Sequence, residues 1–271
     1  MNPGKWDARI RRAQELAAAH PFASEGLRFY ERVTGFQRSL YADIRKACGS
    51  VKRNSPPGSL RQELDLFLLL PKFSSFLSFV EANAPGPLAH AAGELRGAGT
   101  TRGQEVISEF WRGSPGGESS ISASEGLLSW AFLQPYAEYL ADHTERLALT
   151  GTPSVCPLCS GKPQVGVLRQ EGDGAKRGLI CALCATEWDY RRLVCPACGE
   201  ENMEKLAVYS AEEFSHVRVE ACDTCRYYIK TVNLTKDGRA VPVVDELATI
   251  PLNLWAAEHG YTKIQSNLLG I

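Results

Sequence analysis

The stretch LICALCATEWDYRRLVCPAC, residues 179–198, holds two CxxC pairs, Cys181/Cys184 and Cys195/Cys198, with ten residues between them. One CxxC pair is either a redox dithiol or half of a metal site, and its surroundings decide which. Another pair stands upstream, Cys156/Cys159 in CPLC, and one more downstream, Cys222/Cys225 in CDTC. Cys156 to Cys195 and Cys159 to Cys198 are each 39 residues, while Cys181 to Cys222 and Cys184 to Cys225 are each 41. One structural unit therefore occurs twice, with two extra residues in the loop of the second copy.

The unit explains its own spacing. Midway between Cys159 and Cys181 lies EGDG, residues 171–174, a strong turn sequence. Midway between Cys198 and Cys222 lies the polar run SAEE, residues 210–213. The flanking segments QVGVL, GLI, KLAVY and HVRVEA read as short strands. Folding each hairpin at its centre brings its two CxxC pairs together, and four thiolates converge as in a zinc ribbon or rubredoxin site. Thus Cys156, Cys159, Cys181 and Cys184 form a first site, and Cys195, Cys198, Cys222 and Cys225 a second. An alternative pairing joins the two inner pairs and the two outer pairs, but the 39/41 repeat favours the sequential one. ATEWDYRRLV, residues 185–194, then bridges two modules. A thioredoxin-like dithiol would open a helix in a βαβ unit, and no such pattern surrounds these pairs.

The charged fraction of 23% and apolar fraction of 44% are those of a soluble globular chain. The first twenty residues carry charges where an export signal needs an apolar core, so a cytoplasmic protein with reduced thiols is expected. No membrane span is expected, because the most apolar stretch, 64–80, contains Asp65, Lys72 and Pro71. Residues 151–230 carry 10 basic against 11 acidic side chains, which argues against a nucleic-acid partner. Residues 5–53 carry 11 basic against 5 acidic, read as a solvated helical face.

The fold class expected is α+β: an all-helical N-terminal domain, two tandem rubredoxin-like or zinc-ribbon modules, and a C-terminal helix. Apolar spacing predicts helices over 6–19, from an N-cap at Ser24 to about Cys48, over 60–80 with a kink or boundary at Pro71, and over 124–149. GSVKRNSPPGS (49–59), residues 97–102 and RGSPGGESSIS (112–122) read as turns or flexible joints, flanking a short segment around 106–111. The division is 1–153 helical, 154–192 first module, 193–236 second module and 237–271 C-terminal extension. After the last cysteine pair a strand at 227–234 turns at KDG and continues through RAVPVV. A helix then follows over 245–258, with Asp245 as N-cap and Gly260 as its C′ glycine.

Two metal ions are implied, one per four-cysteine site, and zinc and iron both accept tetrahedral thiolate. Two Zn(II) sites would bring the formal charge of the chain from −1 to about −5, and two Fe(III) sites to about −3. Gly199 suits the tight turn after a CxxC pair, whereas Ser160, Ala185 and Arg226 hold the equivalent places and count against a strict rubredoxin knuckle. Closed four-thiolate sites leave no open coordination position, so catalysis at the metal is not expected. Cys48 reads as a buried small hydrophobe. His20, His90, His143, His216 and His259 form no metal-binding pair, and His216 reads as an exposed loop residue. Nucleotide-binding glycine motifs and nucleophile elbows are absent.

CALCATEW, CPACG and the tail VVDELATIPLNLWAAEHGY together resemble the FdhE family, the formate dehydrogenase accessory proteins. The resemblance is close over the C-terminal half and general over the helical half. It implies a cytoplasmic, non-enzymatic factor for formate dehydrogenase maturation that binds the catalytic subunit. It also implies metal binding by the eight paired cysteines, with iron associated with the family. Thr186, Glu187 and Trp188 match a family motif and are candidates for partner contact, against a plain packing role. Trp188 would cover the first site, and Glu187 would pair with Arg191 or Arg192. The second class of function that the residues allow is a rubredoxin-like iron redox or electron-transfer protein.

Overall fold

The computed structural model describes residues 4–50, 56, 58–113, 120–145 and 151–270. The turn expected at 49–59 and the glycine-rich linker at 113–117 fall largely outside these residues. The helix expected to reach 149 ends earlier, at Asp142, where His143 caps it. Among the described residues no helix is long and apolar enough to cross a membrane.

Six helices build the first part: α1 (Gly4–Ala19), α2 (Ser24–Cys48), α3 (Leu66–Asn83), α4 (Gly86–Gly97), α5 (Gly99–Arg112) and α6 (Ala123–Asp142). Ser24 is the first residue of α2 and not its cap; a 3-10 turn, Pro21–Ala23, feeds the helix directly. α3 begins six residues later than expected, where the Asp65 carboxylate accepts from the Leu68 amide at 3.0 Å. Pro71 lies inside α3 without ending it, because Leu69, Phe73, Phe76, Leu77 and Val80 bury one face of the helix on both sides of it. Residues 97–102 are not a flexible joint. Gly99, at φ +85°, turns the chain from α4 into α5, and α5 then buries Val106, Ile107 and Trp111. Burial of that apolar face outweighs the poor helix propensity of the glycines. α6 starts at a capping box, in which Ser122 and Glu125 each accept from the other's amide. It is buried almost all round, as the central helix of the domain.

The second part is one sheet. It contains β1 (Pro163–Glu171), β2 (Gly174–Cys181), β3 (Glu187–Asp189), β4 (Leu206–Ser210), β5 (Val217–Cys222), β6 (Tyr227–Asn233) and β7 (Thr262–Lys263). The strand order is β3-β2-β1-β6-β5-β4, with β7 pairing beside β6. Each copy of the repeat supplies an antiparallel three-stranded ribbon: β1-β2-β3, then β4-β5-β6. The copies join where β1 runs parallel to β6, with Gly166 opposite Thr231. A Cβ at 166 would stand 2.3 Å from Thr231 Oγ1, so glycine sets the closeness of this seam.

After β6 the chain does not continue as a strand through RAVPVV. Pro242 opens α7 (Pro242–Ala248), and the Asp245 carboxylate reaches back to accept from the Val241 amide at 2.7 Å. Asp245 is thus inside the helix and not its N-cap. The single helix expected over 245–258 is two, α7 and α8 (Ile250–Glu258), since Pro251 cannot donate to the carbonyl a turn before it. Gly260 sits at φ +75° as a C′ glycine should. His216 is half-buried and not an exposed loop residue: its Nε2 lies 2.8 Å from Asp245 Oδ1. Arg12 of α1 donates to the same carboxylate, which ties the helical domain to the tail. Deeper in, Lys230 of β6 stands 3.1 Å from the Glu246 carboxylate, with Lys263, Asn267 and Gln164 as further partners. Glu246 pays for its burial through these contacts: Lys230 and Lys263 outweigh desolvation and hold its pKa down to about 2.

Candidate metal centres

The eight paired cysteines gather into the two sequential groups, Cys156, Cys159, Cys181 and Cys184, and Cys195, Cys198, Cys222 and Cys225. The inner-with-inner pairing is thereby ruled out. All sulfurs within a group lie within 4.8 Å of one another. Across the ribbons, Cys156 and Cys184 are 3.5 Å apart, Cys159 and Cys181 3.3 Å, and Cys195–Cys225 and Cys198–Cys222 each 3.7 Å. A tetrahedron of sulfurs around an ion with bonds of about 2.3 Å has edges of about 3.8 Å, so each group can hold one metal ion. The donor set alone accepts zinc or iron.

The four turns that present these sulfurs share one backbone conformation. Ser160, Ala185 and Arg226, at φ 57°, 53° and 62°, are the non-glycine residues of positive φ among those described, and Gly199 is at 78°. Each directly follows a CxxC pair. The doubt raised by three side chains in place of glycine is therefore removed: the left-handed turn is made at all four positions whatever residue occupies it. Such a residue is strained by about 1 kcal/mol or more, and it persists only where the surroundings over-determine it. The turn closes with hydrogen bonds from Ser160 N to Cys156 O at 2.9 Å, Gly199 N to Cys195 O at 3.0 Å, and Arg226 N to Cys222 O at 2.8 Å. Backbone amides also approach sulfur, as Leu183 N does Cys181 Sγ and Ala197 N does Cys195 Sγ, both at 3.4 Å. These donors favour thiolate and support the negative charge of a four-sulfur site.

Without a cation the cost of gathering thiols is plain. Burial pushes the Cys181 thiol well above its ordinary value. It lifts Cys195 to about 11, partly offset by the Cys198 and Ala197 amides. Cys222 goes the other way: burial opposes ionisation, yet the amides of Cys225 and Thr224 outweigh it.

The two centres differ in their surroundings. The first is wholly buried and belongs to the core cluster of the helical domain. Trp130 Nε1 and Gln134 Nε2 of α6 both donate to Ala182 O, inside the CALC turn, at 3.0 and 3.2 Å. Backbone bonds from Gly58 N to Pro157 O and Leu60 N to Leu158 O clasp the other turn. Gly161 leaves the sulfurs their room, since a Cβ there would stand 3.1 Å from both Cys159 Sγ and Cys181 Sγ. In the second centre Cys195 and Cys222 are buried, but Cys198 is exposed and Cys225 partly so.

Thr186 and Trp188 are buried and Glu187 is partly exposed. Thr186 Oγ1 lies 3.2 Å from Cys184 Sγ, and Thr186 O accepts from Cys181 N at 2.9 Å. Trp188 packs in the same core cluster as the first four cysteines and donates to Pro153 O at 2.9 Å. Glu187 pairs with Arg169 through two bonds of 2.7 Å, and not with Arg191 or Arg192. Arg169 reaches it from β1 across the intervening β2, whereas Arg191 turns away to Glu201. Cys48, at the end of α2, is only partly buried, but it packs against the core as the expected small hydrophobe. The residues that sequence reasoning did not single out are Trp130, Gln134 and Gly161. Gly161 had a signal in its place two residues after a CxxC pair; the contacts from α6 had none.

Helices clasping one of two tandem four-cysteine ribbon modules define the class: a helical protein with paired modules, each able to hold a metal ion. Residues 155–192 match the family description "FdhE, central domain" and residues 193–269 match "FdhE, C-terminal domain". Residues 155–269 therefore carry two FdhE domains in tandem. A relative named Protein FdhE homolog from Aquifex aeolicus (strain VF5) is 26% identical, over 96% of this chain and 94% of its own length. Another of the same name from Pseudomonas aeruginosa is 37% identical over 44% of this chain and 40% of its own. The crystal structure of the FdhE protein from Pseudomonas aeruginosa superposes with a TM-score of 0.74 at 26% identity, covering 99% of this chain and 96% of that one.

Proposed function

We propose that this chain is a cytoplasmic, non-catalytic accessory protein of formate dehydrogenase maturation, which binds the catalytic subunit through a scaffold shaped by two metal ions. The observation that carries this is the pair of closed sulfur tetrads presented by four left-handed turns, three of them strained by a non-glycine residue. Sites of that kind hold a surface in shape and leave no coordination position for a substrate. Nine cysteines free of disulfides suit a reducing compartment. In this proposal the eight paired cysteines are the ligands, and 154–192 and 193–236 act as two modules between the helical domain and the tail. Of the Thr186-Glu187-Trp188 motif, the partly exposed Glu187 is assigned to partner contact, while the other two brace the first centre.

The test is co-purification of the metal-loaded chain with a formate dehydrogenase catalytic subunit, beside the Cys181→Ser and Cys195→Ser variants and with metal analysis of each. Stoichiometric association of the wild type, weakened in the variants, is expected. No association, or association with equal strength after both ions are gone, would overturn the proposal.

A second function is favoured by one feature, the exposed Cys198 at the edge of the second centre. With iron there, electrons could pass to a docked partner. Visible ferric-thiolate absorption that bleaches on dithionite addition is its expected signature, and colourless protein with two zinc ions excludes it.

A further inference from the structure

β4 is an edge of the sheet: it pairs with β5 on one side, and no strand among the described residues lies on the other. The pairing is regular, with Leu206 opposite Cys222 through Ser210 opposite Arg218. Asp223 N donates to Lys205 O at 2.8 Å, which sets the phase of the ladder. Lys205 only accepts there, its own amide donating to Asn202 O. In the same phase Ala207 and Tyr209 exchange bonds with β5, and the peptide groups of Val208 and Ser210 turn to the free edge. Soluble proteins protect such an edge with a bulge, a proline or charged residues. The LAVYS of β4 has none of these, and Val208 is 56% exposed.

Beside this edge runs a groove of about 980 Å³, lined chiefly by His20, Phe22, Tyr209, Phe214, Leu252 and Trp255. The aromatic rings support one another: Tyr209 against Trp255 at 4.3 Å and His20 against Phe214 at 5.6 Å between centroids. Helical domain, second module and tail all contribute to its walls, so the groove exists only in the assembled fold.

Its rim is acidic. Residues 193–226 carry seven acidic side chains against three basic ones. Glu201, Glu220 and Asp223 are neutralised by Arg191, Arg177 and Arg226. Glu204, Glu212 and Glu213 make no ion pair among the described residues, and Glu213 itself lines the groove. Four thiolates around a divalent or trivalent ion would leave a net charge of about −2 or −1 on this module.

We propose that this groove receives an extended segment of another protein, apolar along its middle and flanked by lysine or arginine, which adds to the sheet beside β4. The free peptide groups would supply the main-chain bonds, the aromatic floor would take alternate side chains, and the glutamates would select the basic flanks. Two copies of this chain pairing β4 to β4 would bring the acidic rims together, so a second copy is disfavoured. The inference concerns the surface and holds whichever client the protein serves. The co-purification above reads the client and the experiment below reads the groove, so either can fail alone.

The probe is a fluorescent peptide with a Val-Thr-Leu-Val-Thr core between paired arginines, titrated into the full metal-loaded chain and followed by anisotropy. Its counterpart carries glutamate in place of arginine. Saturable binding of the basic peptide is expected, weakening as salt rises, with affinity lower by about tenfold or more for the acidic one. The Glu212→Lys/Glu213→Lys double variant should lose about as much, and Val208→Pro, which removes an edge donor, should abolish binding. Metal content and melting temperature check that Val208→Pro folds; if they fall, Phe22→Ser at the exposed lip of the groove takes its place. Binding of neither peptide, equal binding of both, or full affinity in these variants would overturn the inference. So would a dimer of the chain alone that Val208→Pro or Phe22→Ser dissociates.

Discussion

Trp130 of α6 donates its indole N–H to the carbonyl of Ala182, 52 residues along the chain and between two sulfur ligands of the first centre, at 3.0 Å. Gln134 donates to the same oxygen, and its own carbonyl accepts from Gln37. The first metal turn is thus held from outside its module by side chains of the helical core.

Trp130→Phe removes the donor together with the pyrrole part of the indole. It should cost about 2–3 kcal/mol in denaturant unfolding, from the lost bond and the lost packing together. Loss of the ion from the first centre to a chelator should quicken, while the rate at the second centre stays the same. Equal effects at both centres would show that the bond does not reach the first centre in particular.

The ions themselves should account for much of the stability of 156–225, because a ribbon of this size buries little apolar surface without them. Cys181→Ser and Cys195→Ser should each lose one equivalent of metal and open their own module to protease. Full metal content with unchanged protease resistance in the double variant would remove the basis for both centres.

Burial separates the two centres kinetically. The first lies inside the helical core and must wait for local opening, whereas Cys198 already meets solvent. A strong chelator should therefore withdraw metal in two phases, the faster by about tenfold or more. Cys198→Ser should remove the fast phase alone, as read by the absorbance of a chelator dye.

The metal ligands were legible because their chemistry is local. A tetrad needs cysteine, its turns need CxxC, and the repeat of 39 and 41 residues states the pairing. The seam between the modules was not legible. Gly166 and Thr231 are 65 residues apart, and nothing in either segment announces that parallel strands meet there. Helix ends failed where a proline carried two meanings: Pro71 continues a helix, Pro242 begins one and Pro251 divides one. Which of these occurs depends on burial from distant elements. Left-handed Ser160, Ala185 and Arg226 were read as departures from a pattern of glycines, yet the turn geometry overrides residue preference at all three.

Arg177 of β2 and Glu220 of β5 form an ion pair of 2.6 Å between the two modules, with the arginine side chain 1% exposed. Arg177 also donates to the carbonyls of Arg191 and Val194 and lies 5.3 Å over the ring of Tyr190, fixing the bridge between the modules. Arg177→Ala should cost about 3–5 kcal/mol, since it leaves these acceptors buried without a donor. Replacing both partners, Arg177→Met with Glu220→Met, should recover part of that loss. A double variant no more stable than the single one would mean that the carbonyl contacts, and not the ion pair, hold the modules together.

Glu246 sets the response to acid. Its carboxyl is held to about 2 by Lys230 and Lys263 against the opposing effect of burial, compared with 4.5 for the free group. A depressed carboxyl binds fewer protons folded than unfolded, so its stabilisation is complete above pH 4.5 and is lost as pH falls through about 2. Glu246→Gln leaves Lys230 buried without its counterion and should cost about 3 kcal/mol or more at neutral pH. The difference between wild type and variant in urea unfolding should then shrink as pH drops from 4.5 towards 2, because protonation of Glu246 makes the wild type resemble the variant. Comparing the two chains at each pH cancels the shared effect of acid on the thiolate centres. A difference that stays constant across that range would show that the carboxylate is not the group holding α7 and the sheet together.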